Sequence, residues 1–349
     1  MQKKLLTAAV AGALAMPVAA LAQVTVFGTI DTGVRNISKL TNGAGGTDSV
    51  LDVANNTRTT NRWGLRGSED LGGGLMANFW LEGQYASDTG AGPGTAIPPT
   101  GGLFQRKSVV GLSKGGMSVD LGRDYTVNFK SQGIYDPMSY TYTGITPAAV
   151  VNTAGVRSSN LVTAGFRFGT GGIRVDYAAG EVIGENGWGT RTGLMGDFAF
   201  GPVTVTGAFS TMDDAATGTV TTDTTNFGAR YTMGAFIFRL GYSNTEVETG
   251  GVTGETPLMM GGVQYAFSPT LNGRVGYYNL APEVAGVELG DIGTMVVALD
   301  YYLSKRTTLY VEFDRVSVDD PANAALLAGA AGSRTDGSTG IGAGIAHTF

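Results

Sequence analysis

Few side chains in this sequence could make or break a bond. Among 349 residues there is one histidine, His347, and no cysteine. Thiolate metal sites, disulfides and cysteine nucleophiles are therefore excluded, and a histidine triad or metal cluster lacks its members. No phosphate-cradling glycine–lysine loop, zinc spacing or serine–histidine constellation occurs. Asp213-Asp214 and Asp319-Asp320 come nearest to a calcium site, and such pairs read as solvated loop charge. What remains is fixed charge. Asp31 and Arg35, Arg62 and Arg66, Arg174 and Asp176, and Glu312 and Asp314 stand two or four residues apart. On an extended strand that spacing puts both groups on one face. Charges so placed act on passing ions through their fields.

The elements that must position them are strands. Past residue 22, apolar and polar residues alternate through almost every segment. Val24, Val26, Gly28, Ile30, Thr32 and Val34 interleave with Thr25, Phe27, Thr29, Asp31, Gly33 and Arg35. Leu75 to Tyr85 and the run around Phe236 repeat the pattern. No comparable helical period appears, so the fold is read as all-β. Sixteen runs are expected, near 24–36, 60–69, 74–86, 104–113, 117–124, 157–168, 172–180, 189–200, 202–211, 225–233, 235–244, 257–267, 271–280, 292–303, 307–317 and 339–349. Seven short turns alternate with eight long loops between them. That count is an antiparallel up-and-down barrel with both termini on the short-turn side.

Parity places the barrel in a membrane. Strand charges such as Asp31, Arg35, Arg62, Arg66, Glu82, Arg239, Asp300 and Glu312 all lie opposite the apolar face. In a sandwich core they would be costly; a water-filled lumen accepts them. Phe198, Phe209, Tyr231, Phe236, Phe267, Tyr277, Tyr301 and Phe349 sit on the apolar face at strand ends, where interfacial girdles belong. No later stretch approaches the ~18 apolar residues of a spanning helix, and a closed barrel is the other way to cross.

Residues 1–22 read as a secretory signal: Lys3 and Lys4, an apolar stretch from Leu5 to Ala19, then Ala20-Leu21-Ala22. The barrel domain is then 23–349. Without Lys3 and Lys4 the chain carries 21 basic and 29 acidic residues, a net −8, which disfavours nucleic acid as a partner. The 56 glycines, more than twice average usage of about 7%, suit turns and close strand approach.

Arg62-Trp63-Gly64-Leu65-Arg66-Gly67-Ser68-Glu69-Asp70-Leu71-Gly72-Gly73-Gly74-Leu75 resembles the second strand, first turn and third strand of general porins of β-proteobacteria. Val110-Gly111-Leu112-Ser113, Leu121-Gly122-Arg123-Asp124, Leu303-Ser304-Lys305-Arg306-Thr307 and the closing Gly344-Ile345-Ala346-His347-Thr348-Phe349 are similar to further signatures, in order along the chain. The resemblance implies a homotrimer of sixteen-stranded barrels in the outer membrane, passing small hydrophilic solutes and ions without a cofactor. It also implies that the third long loop, about 125–156, folds inward and narrows the channel. Phe349 looks like the signal read by the barrel-assembly machinery.

On the family's arrangement, the basic wall of the constriction would be Arg35, Arg62, Arg66 and Arg123, with Lys107, Arg167 and Arg174 as second choices. The loop side would offer Asp124, Tyr135 and Asp136. Because Asp136 is the loop's sole interior acid, weak anion preference is the expectation. The alternative is a substrate-specific channel on the same barrel, its track built from arginines with Trp80, Trp188, Tyr135, Tyr140 and Tyr142. An outer-membrane enzyme or adhesin would need a catalytic set or a large outer domain, and neither is visible. A secreted soluble β-protein would need no detergent.

Overall fold

The alternating runs fold as one closed sheet. The computed structural model describes residues 24–42, 45–92, 102–142, 155–185, 187–320 and 334–349, so the expected signal segment lies outside the described residues. The barrel strands are β1 (Thr25–Thr41), β2 (Arg62–Gly72), β3 (Leu75–Gln84), β4 (Lys107–Lys114), β5 (Met117–Tyr125), β6 (Arg157–Phe168), β7 (Gly171–Ala178) and β8 (Arg191–Phe200). The circuit continues with β9 (Val203–Asp213), β10 (Val220–Met233), β11 (Phe236–Thr249), β12 (Leu258–Ser268), β13 (Leu271–Leu280), β14 (Ile292–Tyr302), β15 (Thr307–Val318) and β16 (Thr339–Thr348). Each pairs antiparallel with its neighbours, and β16 closes on β1 from Thr29↔Thr348 to Ile37↔Gly340. Closure leaves no open edge in the sheet, which lipid would not tolerate.

Tight turns join strands on the side of the termini. Between β4 and β5, Lys114 faces Met117 and the two linking residues, Gly115 and Gly116, take φ of 57° and 85°. A two-residue hairpin that follows the strand twist requires positive φ at both positions, which glycine adopts without strain. Beside these turns Phe166, Phe168, Phe198 and Phe200 touch in series, with centroids 5.7, 6.4 and 4.5 Å apart. Tyr265 continues the band between Phe236 and Phe267, at 4.5 and 4.8 Å. Val110, Leu112, Val119, Leu240 and Val311 are exposed on the outer face above them. Together they form an apolar belt with an aromatic rim.

Two features were not expected. First, the second wall position is occupied by a broken strand. Thr47–Asn55 pairs with the upper part of β1, from Thr41↔Thr47 to Thr32↔Asn55, while β2 pairs with its lower part, from Thr29↔Arg62 to Thr25↔Arg66. Residues 56–61 between them leave the wall and turn inward. Asp31 holds this detour, accepting from the backbone N–H of Arg58 at 2.8 Å and from the Tyr310 hydroxyl at 2.6 Å.

Second, the third loop contains a helix, α1 (Val127–Tyr135). Thr126 caps it, its hydroxyl accepting from the Phe129 N–H at 3.4 Å, and Asp176 of β7 accepts from the Val127 N–H at 2.9 Å. A carboxylate at that end also suits the helix dipole. The helix lies against the inner wall on a track of glycines. A Cβ on Gly228 or Gly241 would stand 2.2 or 2.0 Å from the Tyr135 ring, and one on Gly262 or Gly276 would stand 2.8 or 3.0 Å from Pro137. Gly228 and Gly241 face each other across β10 and β11, so the ring rests on bare backbone.

Candidate functional site

The inward loop is fastened to one side of the barrel by polar bonds from several strands. Asn128 donates to the Thr224 carbonyl at 2.9 Å, and Asn226 returns a bond to the Asn128 carbonyl at 3.0 Å. Ser131 and Thr206 share a bond of 2.9 Å. Further along, Arg274 donates to the Met138 carbonyl at 2.9 Å and reaches Asp300 at 3.3 Å. Asp300 also holds Arg58 of the detour at 2.7 Å and accepts from Tyr142 at 3.0 Å. The Tyr142 N–H donates to the Arg58 carbonyl at 2.8 Å. Loop and detour are thus buckled together over one buried carboxylate, opposite the wall that α1 leaves free.

Between that free wall and the loop lies a cavity of about 940 Å³. Arg62, Gln84, Arg106 and Arg157 line it from the wall, Asn56, Thr59 and Thr60 from the detour, and Phe129, Lys130, Ile134 and Tyr140 from the loop. A second chamber of about 550 Å³ includes Arg66, Trp80, Lys107, Asp124 and Arg174. Lys130 and Tyr125 line both.

The expected basic wall is only half assembled. Arg62 lines the cavity, its one side-chain bond among the described residues a long 3.4 Å contact to the Thr59 hydroxyl. Arg66 lies in the second chamber, its guanidinium 5.1 Å from the Phe27 ring centre and 5.0 Å from that of Trp80. Arg35 is corrected. It bonds Glu312 at 3.0 Å and also Asp314, acids of β15 across the β1–β16 seam, which hold it away from the cavity. Arg123 is corrected as well. It stands opposite Ser108 on the outer parity it shares with exposed Met117, Val119 and Leu121. Its guanidinium is taken by the Gln105 carbonyl at 2.6 Å and the Ser159 hydroxyl at 2.9 Å.

The loop side also departs from expectation. Tyr135 is fully buried on the glycine track, its hydroxyl donating to the Tyr242 carbonyl at 3.2 Å. Asp136, 1% exposed, accepts from Tyr278 at 2.7 Å and from the Tyr140 N–H at 2.7 Å. It faces the seat and not the opening. Burial pushes its carboxyl above the ordinary range, against those bonds and the charges of Arg239 and Arg274. Asp124 bridges Lys107 at 3.1 Å and Lys130 at 2.9 Å, so it is neutralised. Burial lowers the Lys130 ammonium below the ordinary lysine range, with Asp124 pulling it back. Of the second choices, Arg167 pairs with Asp197 at 2.7 Å and Arg174 lines the second chamber.

Arg106, Arg157, Tyr125, Phe129 and Ile134 were not singled out from the sequence. Arg106 bonds Glu82 at 2.6 Å and the Tyr125 hydroxyl at 2.8 Å. Tyr125 and Phe129 stand four residues apart, and a helix started at Thr126 brings them into register; that start was the missed signal. Trp188 lies in an outer loop, against Gly218. At the chain end, Phe349 exchanges backbone bonds of 3.1 and 3.2 Å with Gly28. Among the described residues no group of three or more His, Cys, Asp or Glu side chains forms a metal site.

A model of the Gram-negative porin family matches residues 6–321. The chain is 31% identical over its full length, and that of the relative, to outer membrane porin protein 32 of Delftia acidovorans. In structure it is similar to an anion-selective porin from Comamonas acidovorans, with a TM-score of 0.78, 26% identity, and 94% of this chain and 100% of the other covered. The trimer form of OmpT from Vibrio cholerae shares the fold at a TM-score of 0.71 and 14% identity, covering 94% of this chain and 99% of that one. The chain belongs to the Gram-negative porins, outer-membrane channels through which small solutes diffuse passively.

Proposed function

We propose that the channel is weakly anion-selective, and that residues 1–22 are a cleaved export signal for a barrel of residues 23–349. One observation carries the selectivity. Arg62, Arg66, Arg157 and Arg174 line the two chambers and have no carboxylate at salt-bridge distance among the described residues. Asp300 is matched by Arg58 and Arg274, and Asp124 by Lys107 and Lys130; Asp120, which lines the second chamber, is outnumbered there by Arg66, Lys107, Lys130 and Arg174. A narrow lumen with low-dielectric walls strengthens the field of the remaining guanidiniums. They outweigh the −8 of the mature chain, much of which sits in outer-loop acids.

Three barrels associate, each with its own pore, as the family resemblance and the trimeric Vibrio relative suggest. The apolar belt contacts outer-membrane lipid, and the alternating β16 ending in Phe349 is the segment the barrel-assembly machinery reads. The pore conducts and catalyses nothing; charge and width at the constriction set what passes. The test is single-channel current in a planar bilayer under a salt gradient. Steps in groups of three with an anion-sign reversal potential are expected. A cation-sign potential would discard the selectivity and keep the channel.

A further inference from the structure

The charged wall of the constriction faces an apolar one. On the loop side the cavity meets Phe129, Gly133, Ile134 and Tyr140 with the small hydroxyls of Ser139 and Thr141 at its margin, and among the described residues Lys130 is the one charged loop residue there. The acid that could have stood opposite the arginines, Asp136, is turned into the seat behind. Phe129 is sandwiched: its ring stacks on Tyr125 at 4.8 Å and on Tyr140 at 4.1 Å, the planes within 13° and 12° of parallel. With both faces covered it turns its edge to the cavity, and an aromatic edge is the electropositive part of the ring. Ile134 adds aliphatic surface beside it. Across the opening, among the described residues, Arg62 has a single long contact to Thr59, and Arg157 bonds the Tyr125 hydroxyl at 2.7 Å while its Nε is buried without a bonding partner.

A small inorganic anion uses the guanidiniums and gains nothing from the apolar side. A neutral sugar finds the reverse to be no better, because its hydroxyls lose water against Ile134 and Phe129. An anion with one charged end and a flat apolar body can use both walls at once. We propose that the constriction is a binding site for aromatic monocarboxylates, the carboxylate on Arg62 and the ring against Ile134 and the Phe129 edge. A carboxylate suits the forked donors of arginine, and the cavity of about 940 Å³ holds a single-ring acid with room for water. This rests on the anion-selective reading and names the class of anion it favours.

The experiment uses the full-length folded protein in planar bilayers, with benzoate or acetate added at matched concentration to a chloride current. Benzoate is expected to half-block the current at about one-tenth the acetate concentration, as covering about 60 Å² of ring would give. Ile134→Asn closes the gap between the two acids, each block being read against that variant's own chloride current. Arg62→Gln weakens block by both acids together. Ile134→Thr, closer in shape, serves if the Asn variant does not fold. Equal block by benzoate and acetate in the unmodified channel, or a gap that survives both Ile134 variants, overturns the proposal. Equal block with an anion-sign potential would sink the aromatic class alone; a cation-sign potential would take the underlying selectivity with it.

Discussion

The wall from β8 to β14 and the wall from β2 to β6 are cut from the same alternating strand, yet one is a dry seat and the other a wetted row of cations. The seat presents glycine, threonine and asparagine to the lumen: Gly193, Thr206, Thr224, Asn226, Gly228, Gly241 and Gly262. Small side chains let the helix approach the backbone, and Asn226 and Thr206 among them bond the loop at Asn128 and Ser131, as buried polar groups favour. The free wall presents Arg62, Arg66, Gln84 and Lys107, long side chains that border open space. Inner-face residue size therefore decides where the loop lies down, and the charges left uncovered decide what the opening attracts.

If the buckle at Asp300 is what keeps the seat and the free wall apart, removing its charge should have the largest effect. Asp300→Asn leaves Arg58 and Arg274 without their shared carboxylate. Losing one partner of a buried ion pair costs about 3–5 kcal/mol. The variant is expected to unfold from its heat-modifiable form at a lower temperature and to show current fluctuations as the loop tip loosens. A steady channel with an unshifted unfolding temperature would show that the glycine seat alone holds the loop.

The free wall is probed next. Arg62→Glu with Arg66→Glu reverses two charges without touching the seat. A unit charge about 10 Å from the ion path at an effective dielectric of ~20 acts with about 1.7 kcal/mol before salt screening, and a Debye length of ~10 Å cuts that to roughly a third. Two reversals, four units of charge, then lower the anion's occupancy of the opening about fiftyfold and raise the cation's by a similar factor, enough to change the sign of the reversal potential. Conductance steps of unchanged stability but unchanged sign would move the selectivity elsewhere in the lumen.

The converse substitution disturbs the seat and spares the charges. Gly241→Ala places a methyl carbon 2.0 Å from the Tyr135 ring, an overlap that must be relieved by moving the loop. Overpacking of this kind costs about 1–3 kcal/mol. Lower conductance and earlier heat unfolding are expected, with the reversal potential keeping its sign. A changed sign would mean that seat and charge are not separable.

How much of this was legible beforehand follows the same division. Strands read clearly because their period is two and one face meets lipid, so the expected runs at 157–168 and 271–280 coincide with β6 and β13. The helix α1 was hidden because a loop enclosed by polar wall groups needs no apolar stripe; Val127-Asn128-Phe129-Lys130-Ser131-Gln132 shows none. The strand Thr47–Asn55 was obscured by the asparagines and threonines that follow it, which read as loop and in fact make the detour. Parity put Arg62 and Arg66 on the lumenal face, and the resemblance named them for the constriction. Arg123 had the opposite parity, set by Met117, Val119 and Leu121, and the resemblance of Leu121-Gly122-Arg123-Asp124 overrode that signal. Arg35 could not be excluded from sequence, since its partner Glu312 lies 277 residues away. Loop residues such as Tyr135 and Asp136 have no parity, so which way they turn is set by contacts that only the folded wall supplies.

One residue belongs to both regions. Lys130 rises from α1 on the seated loop, yet lines the cavity shared with the free wall, and it bonds Asp124 at 2.9 Å. Its ammonium is held below the ordinary lysine range, burial being the main cause, with Asp124 opposing and Arg174 and Lys107 adding to the depression. The direction of the effect follows from that shift. As pH rises, Lys130 loses its proton before an ordinary lysine would, so lumenal positive charge falls by one unit. Anion preference should therefore decline on the alkaline side, starting below the usual lysine pKa of about 10.4. With screening, one unit is worth about a threefold change in the occupancy of each ion, in opposite directions for anion and cation. Reversal potentials taken from neutral to alkaline pH would show the step in the native channel and its loss in Lys130→Met. A step that persists in Lys130→Met belongs to Lys107 or to a charge outside the constriction, and would return Lys130 to the seat as a purely structural tie.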